Sequence, residues 1–188
     1  SSTEGCDEYY YYCTYNAYWY YKWLDLDCLE VTQTSTHQGA AAFKALDNRN
    51  YEGNFSDGDC SATEVEAQPI WAVNLGEEYA VKLVDIYLPN DTTSELLIGA
   101  KVYVNGGLCA EITASDYYLR HVIYVQCAEN TIGYALQIHA VSNTSLSLCE
   151  VEIRAARVSS HEGERGSYSY TPEWLPTWCR DTYQSSAL

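Results

Sequence analysis

The chain is 188 residues long and carries a formal charge of −16 at pH 7, from 10 Lys and Arg against 26 Asp and Glu. That balance excludes nucleic acid, whose phosphates require a basic footprint, and it disfavours anionic membranes; cations and basic surfaces are the natural partners. No apolar run approaches the roughly 20 residues that cross a bilayer as a helix, and the length suits one domain of ordinary size with extensions.

Eight cysteines are spread at irregular intervals with no C-x-x-C, and the four histidines (His37, His121, His139, His161) have no finger-type spacing. This reads as a disulfide framework, not as zinc. Three sequons, at Asn54, Asn90 and Asn143, agree with an oxidising compartment and predict N-glycosylation. The expectation is therefore a secreted, extracellular protein. No leader is visible at Ser1, and a cleaved one is expected.

In chain order, the first element is an aromatic tract. Between Tyr9 and Tyr21 stand eight tyrosines and Trp19 within thirteen residues, with Cys6, Cys13 and Cys28 around them. Neither a helical nor a two-residue period fits the tract. Three readings remain open: packing over the domain, self-association, and oxidation of tyrosines to catechols or dityrosine. For self-association the candidate residues are Tyr9, Tyr10, Tyr11, Tyr12, Tyr18, Trp19, Tyr20 and Tyr21.

From Val31 onward short β-type runs are separated by turn residues. The predicted strands are Ile70–Leu75, Val81–Leu88, Ala100–Val104, His121–Val125, Tyr134–Ala140 and Leu146–Arg157, a spacing that argues for a β-sandwich or barrel. In the fifth, Tyr134, Leu136, Ile138 and Ala140 share the predicted buried face. In the sixth the apolar phase slips at Leu148-Cys149, which predicts a bulge or break that re-aims Glu150. Beyond Val158 a polar, Gly- and Ser-containing linker leads to a tail with Trp174, Trp178 and Cys179. The domain reading is an arm over 1–28, a sandwich over 29–158, and a linker and tail over 159–188.

The segments AFKALDNRNYEGNFSDGDC, PIWAVNLGEEYAVKLVDIYLPND, ELLIGAKVYV and LCEVEI resemble, in order and spacing, successive blocks of the F-type lectin (fucolectin) family. The resemblance covers about 29–158 and implies an all-β, discoidin-like jelly-roll sandwich. It also implies disulfides Cys60–Cys149 and Cys109–Cys127, the first tying the loop face to the last strand. Cys6, Cys13, Cys28 and Cys179 are left with three possible pairings, of which Cys28–Cys179 with Cys6–Cys13 is the expectation.

The resemblance further implies a structural calcium. Asp47 and Glu150 match its side-chain ligands, Asp59 stands where the family has an oxygen-bearing Ser, and Lys44 and Cys149 would give backbone carbonyls. Asn48 and Asn50 lie in the same loop, with their part blurred by a one-residue insertion. Oxygen donors of this kind suit a hard cation. A solvated acidic loop with Asx-turns is the alternative.

The family's fucose site uses a His and two Arg flanking an Asp. At those positions this chain has Ala62, Pro89 and Leu96, and only Asp91 survives. Thr92 and Thr93 replace the paired cysteines that stack under the sugar, and the Asn90 sequon stands beside Pro89. Alanine, proline and leucine donate no side-chain hydrogen bond. The first expectation is thus an extracellular structural or adhesive protein whose arm makes a homo-oligomer, a polymer, or contacts with an extracellular glycoprotein or matrix. The competing reading is a carbohydrate-binding lectin with an altered glycan site, and a distant third is a carrier of pigment, metal or another ligand. No nucleophile, metalloprotease or phosphate-loop motif is present, so no enzyme is expected.

Overall fold

The protein is described here by a computed structural model covering residues 21–48, 51–91 and 97–158. The aromatic tract over 9–20, the cysteines Cys6, Cys13 and Cys179, the residues Asn50, Thr92, Thr93 and Leu96, and the tail 159–188 lie outside the described residues. Among the described residues no helix is long and apolar enough to cross a membrane.

Eleven strands follow in order: β1 Lys22–Trp23, β2 Val31–Gln33, β3 Ser61–Ala62, β4 Ile70–Tyr87, β5 Lys101–Val104, β6 Gly107–Glu111, β7 Tyr117–Leu119, β8 Val122–Gln126, β9 Ile132–His139, β10 Ser147–Leu148 and β11 Glu150–Arg157. The residues Ile70–Leu75 and Val81–Leu88, expected as separate strands, belong to one 18-residue strand. Gly76 takes φ +78° and its N–H donates to Asn74 Oδ1 at 3.0 Å, so the chain bends where the sequence suggests a turn.

That bend makes the sandwich. The first half of β4 pairs with β2 on one side and β9 on the other, and β9 continues through β5 to β6. The second half pairs with β11 and β8, which carry β1 and β7 at the outer edges. One strand thus serves two layers, with its register shift between Asn74 and Tyr79 at the crossing. Trp71, Val73, Val102, Leu136 and Ile138 from one layer meet Val84, Ile86, Ile123, Val151 and Ile153 from the other, all at 1% exposure or less and within one core cluster. Alternation at period two places these residues inward.

The phase slip at Leu148-Cys149 corresponds to a break. β10 pairs with β3 in a small separate ribbon, whereas β11 joins the large sheet, so the chain changes partners at Cys149. The two implied disulfides, Cys60–Cys149 and Cys109–Cys127, are present. Cys28 is disulfide-bonded as well, to a partner outside the described residues.

One burial assignment is corrected. Leu136 and Ile138 are buried as predicted, but Tyr134 is 54% exposed and Gly133 is buried instead. The cause is an irregularity in β9: Asn105 Oδ1 accepts the N–H groups of both Tyr134 and Ala135, each at 3.1 Å. Asn105 and Gly106, both at positive φ, form the tight Asn-Gly turn between β5 and β6 that delivers this oxygen. A Cβ on Gly133 would stand 2.6 Å from Asn105 Cγ, so only glycine lets that side chain in.

Candidate functional site

The β3–β10 ribbon forms the floor of a cleft of about 270 Å³ at one end of the sandwich. Ala62, on β3, lies in that floor beside Ser147 of β10, its register partner. Ser61 and Thr63 are buried polar residues that the floor satisfies internally. Ser61 Oγ donates to the Leu148 carbonyl at 3.0 Å, and Thr63 Oγ1 accepts the Leu146 N–H at 2.9 Å.

The loop 34–40 makes one wall and is laced to the floor. His37 N–H donates to the Ala62 carbonyl at 2.9 Å, and Ala62 N–H to the Ala40 carbonyl at 3.0 Å. Gln33 Nε2 donates to both the Ala40 and the Ala62 carbonyls, and Ser35 Oγ accepts the Glu64 N–H at 2.9 Å. These bonds fix His37 over the ribbon, where its Nδ1 stands 2.9 Å from Glu64 Oε2.

The wall continues in Phe55, whose ring stacks on the His37 imidazole with centroids 5.9 Å apart. Asp91 sets this wall: its two carboxylate oxygens accept the N–H groups of Phe55 at 2.8 Å and Ser56 at 3.0 Å. Those backbone donors, Ser56 first, hold the Asp91 carboxyl below its ordinary range. Val65, 70% exposed, supplies an apolar lip. The cleft therefore combines an aromatic platform with a carboxylate–imidazole pair, the mixture that binds a polyhydroxylated ring through its apolar face and its hydroxyls.

Of the four residues expected at a degenerate sugar site, Ala62 is in the cleft floor and Asp91 anchors its wall. Pro89 is buried behind, next to an exposed Asn90 whose N–H donates to the Gly53 carbonyl at 3.0 Å. Leu96 lies outside the described residues. His37, Phe55 and Glu64 were not read as site residues from the sequence. His37 and Glu64 are 27 residues apart and neither carries a motif, so no local signal marks them.

The loop expected to hold calcium lies beside this cleft. The Cys60–Cys149 bridge brings its two flanks together at a Cα–Cα distance of 3.9 Å, so that Asp59 and Glu150, the neighbours of those cysteines, sit on adjoining segments. Glu150 is buried at 1% exposure, Asp59 Oδ2 accepts the Asn54 N–H at 3.2 Å, and Asn48 takes φ +54° with its amide on Asp27. Among the described residues no three His, Cys, Asp or Glu side chains form a metal cluster by themselves. The donor set implied by the resemblance would draw also on the backbone carbonyls of Lys44 and Cys149 and on Asn50, which lies outside the described residues. Its chemistry, all oxygen with carboxylates at 47, 59 and 150, fits a hard cation.

Tyr51 ties the same loop to the outer face of the sheet by donating to Glu152 Oε1 at 3.1 Å, and burial with the nearby Glu152 pushes its hydroxyl up to about 12. Asp85, opposite Glu152 in the ladder, is pushed up to about 6, chiefly by burial and secondly by that like charge. Tyr87 adds a further hydrogen bond to Glu152 and packs edge-on against Tyr51.

No protein-family model matches the chain. Among known proteins it is similar to Fucolectin-1 of Anguilla japonica, 27% identical over 139 residues, covering 67% of this chain and 77% of that protein. Its fold is shared by the F-lectin (fucolectin) from striped bass serum, Morone saxatilis, at a TM-score of 0.62 and 23% identity over 71% of this chain. The described sandwich has the F-type lectin fold. The chain spans about half the length of the striped bass chain, 47%. A Streptococcus pneumoniae fucose binding module matches the same sandwich with 26% identity and a TM-score of 0.57, covering 68% of this chain and 90% of the module.

Proposed function

We propose that this protein is a carbohydrate-binding lectin that uses an altered glycan site in the cleft of His37, Phe55 and Glu64. The observation that carries this reading is the cleft itself: it persists over Ala62, with Asp91 still fixing the Phe55 wall, although Arg and Lys are absent from its described lining. The similar proteins point the same way, being fucolectins and a fucose binding module by name. A purely structural or adhesive role rests on the tract Tyr9–Tyr21, of which Tyr21 alone is described, its ring lying 4.8 Å from Lys82 Nζ of the same chain, and has no such support. Secretion and glycosylation at Asn54, Asn90 and Asn143 belong to the same proposal.

The test is a glycan array followed by titration of the best ligand. Phe55→Ala removes the platform, and losing the burial of a Phe ring, about 1.5–3 kcal/mol, corresponds to roughly a 10- to 100-fold weaker Kd. Unchanged affinity in that variant would remove the cleft from the account.

Calcium is proposed as the structural ion of the adjacent loop, with Asp47, Asp59 and Glu150 as carboxylate ligands and Lys44, Asn48, Asn50 and Cys149 completing the site. When bound it would hold the loop that carries Phe55. Because it would bind only the folded state, calcium at about 100-fold above its Kd adds roughly 2.7 kcal/mol. A chelator should therefore lower the Tm and re-added calcium restore it; an unchanged melt under chelation would argue against the site.

A further inference from the structure

The cleft has the reverse of the donor inventory that a guanidinium-based site presents. Its ionisable described lining consists of His37 and Glu64, with no Lys or Arg. Two lining hydroxyls are committed to the protein: Thr63 Oγ1 donates to the Glu64 carbonyl at 3.0 Å, and Ser147 Oγ to the Ser61 carbonyl at 2.8 Å. Ser145 adds a third, neutral hydroxyl to the lining, and the charged group that faces outward is an acceptor. The Glu64 side chain is 54% exposed, one oxygen is held by His37, and the other takes no hydrogen bond from any described residue.

We propose that Glu64, oriented by His37, reads the ligand of this cleft by accepting hydrogen bonds from glycan hydroxyls, so that the site selects neutral glycans and rejects sialylated, sulfated or uronate-bearing ones. This rests on the lectin reading above. Sugar hydroxyls are donors as well as acceptors, and a carboxylate takes them in charge-assisted bonds about twice as strong as neutral ones. The same charge repels an anionic substituent, with no Lys or Arg in the described lining to offset it and with −16 on the whole chain. The His37 contact fixes the carboxylate in the cleft that Phe55 also lines, so apolar contact and hydroxyl capture are available to one ligand.

The experiment uses the full chain, a panel of neutral glycans with their sialylated and sulfated counterparts, and calorimetric titration of the best matched pair. The wild type should bind the neutral member at least about tenfold more tightly than the anionic one. Glu64→Gln, at a half-exposed position, should keep the Tm, weaken the neutral ligand by about tenfold or more and narrow the gap between the pair; Glu64→Lys should invert the preference. Neutral affinity within twofold of wild type in Glu64→Gln, or equal binding of the anionic partner by the wild type, would overturn the role of Glu64 while leaving the lectin reading intact. Silence of the wild type towards the whole panel would overturn both.

Discussion

Replacing Cys60 and Cys149 together by serine lowers the unfolding free energy by about 4 to 5 kcal/mol, the largest single loss expected in this molecule. The bridge joins positions 89 residues apart, and a cross-link removes more entropy from the unfolded chain as its loop lengthens. The second bridge, Cys109–Cys127, spans 18 residues, for which the same relation gives about 3 kcal/mol. The order of the two effects is therefore part of the prediction. The long bridge also has local work: the residues beside it, Ser61 and Leu148, are paired in the ribbon under the cleft. Urea denaturation of the two double-serine variants measures both losses. A smaller loss for the Cys60–Cys149 pair than for the Cys109–Cys127 pair would show that residual structure or strain, not loop closure, sets the effect.

The second large effect is at Trp71. Its side chain is fully buried in the core between the layers, and its Nε1–H donates to the Ala42 carbonyl at 3.1 Å. Trp71→Ala leaves a cavity and an unpaired carbonyl, and should cost about 3–5 kcal/mol, a large part of the 5–15 kcal/mol that folded domains typically have. Trp71→Phe separates the two contributions. It retains an apolar ring and loses the hydrogen bond, so its cost should be roughly 1–3 kcal/mol. Ala42 opens the short 3-10 turn Ala42–Ala45 that follows the cleft-wall loop, so the Phe variant should also weaken glycan binding. Equal stability of the Ala and Phe variants in denaturant titrations would contradict this division.

The long, strictly alternating strands were readable from the chain because their core side chains repeat every second residue. Val84 and Ile86, Leu136 and Ile138, and Val151 and Ile153 all point inward as the pattern requires. β2, β3 and β7 run only two or three residues, too short to express a period; β2 and β7 exist because the longer β4 and β8 offer them edges, and β3 pairs with the equally short β10. The same limit hid the continuity of β4. A glycine followed by two glutamates reads as a turn, and only pairing with β9 before the bend and β11 after it keeps the strand running. At Tyr134 the alternation misled, because an oxygen from the distant Asn105 turn shifted the phase.

The sequence alone determined the all-β class, the family likeness and the disulfide chemistry, since each is a matter of residue type at a position, and it raised the expectation that Ala62 and Pro89 mark a loss of sugar-reading side chains. It read that loss as a dismantled site. The tertiary structure alone decided that a cleft remains there and what faces it: His37 and Glu64, 27 residues apart in the chain, meet at 2.9 Å because the β3–β10 ribbon and the loop 34–40 share hydrogen bonds. Contacts of that kind depend on which backbone groups are left to pair after the sheets have formed, and no local pattern of residues encodes them.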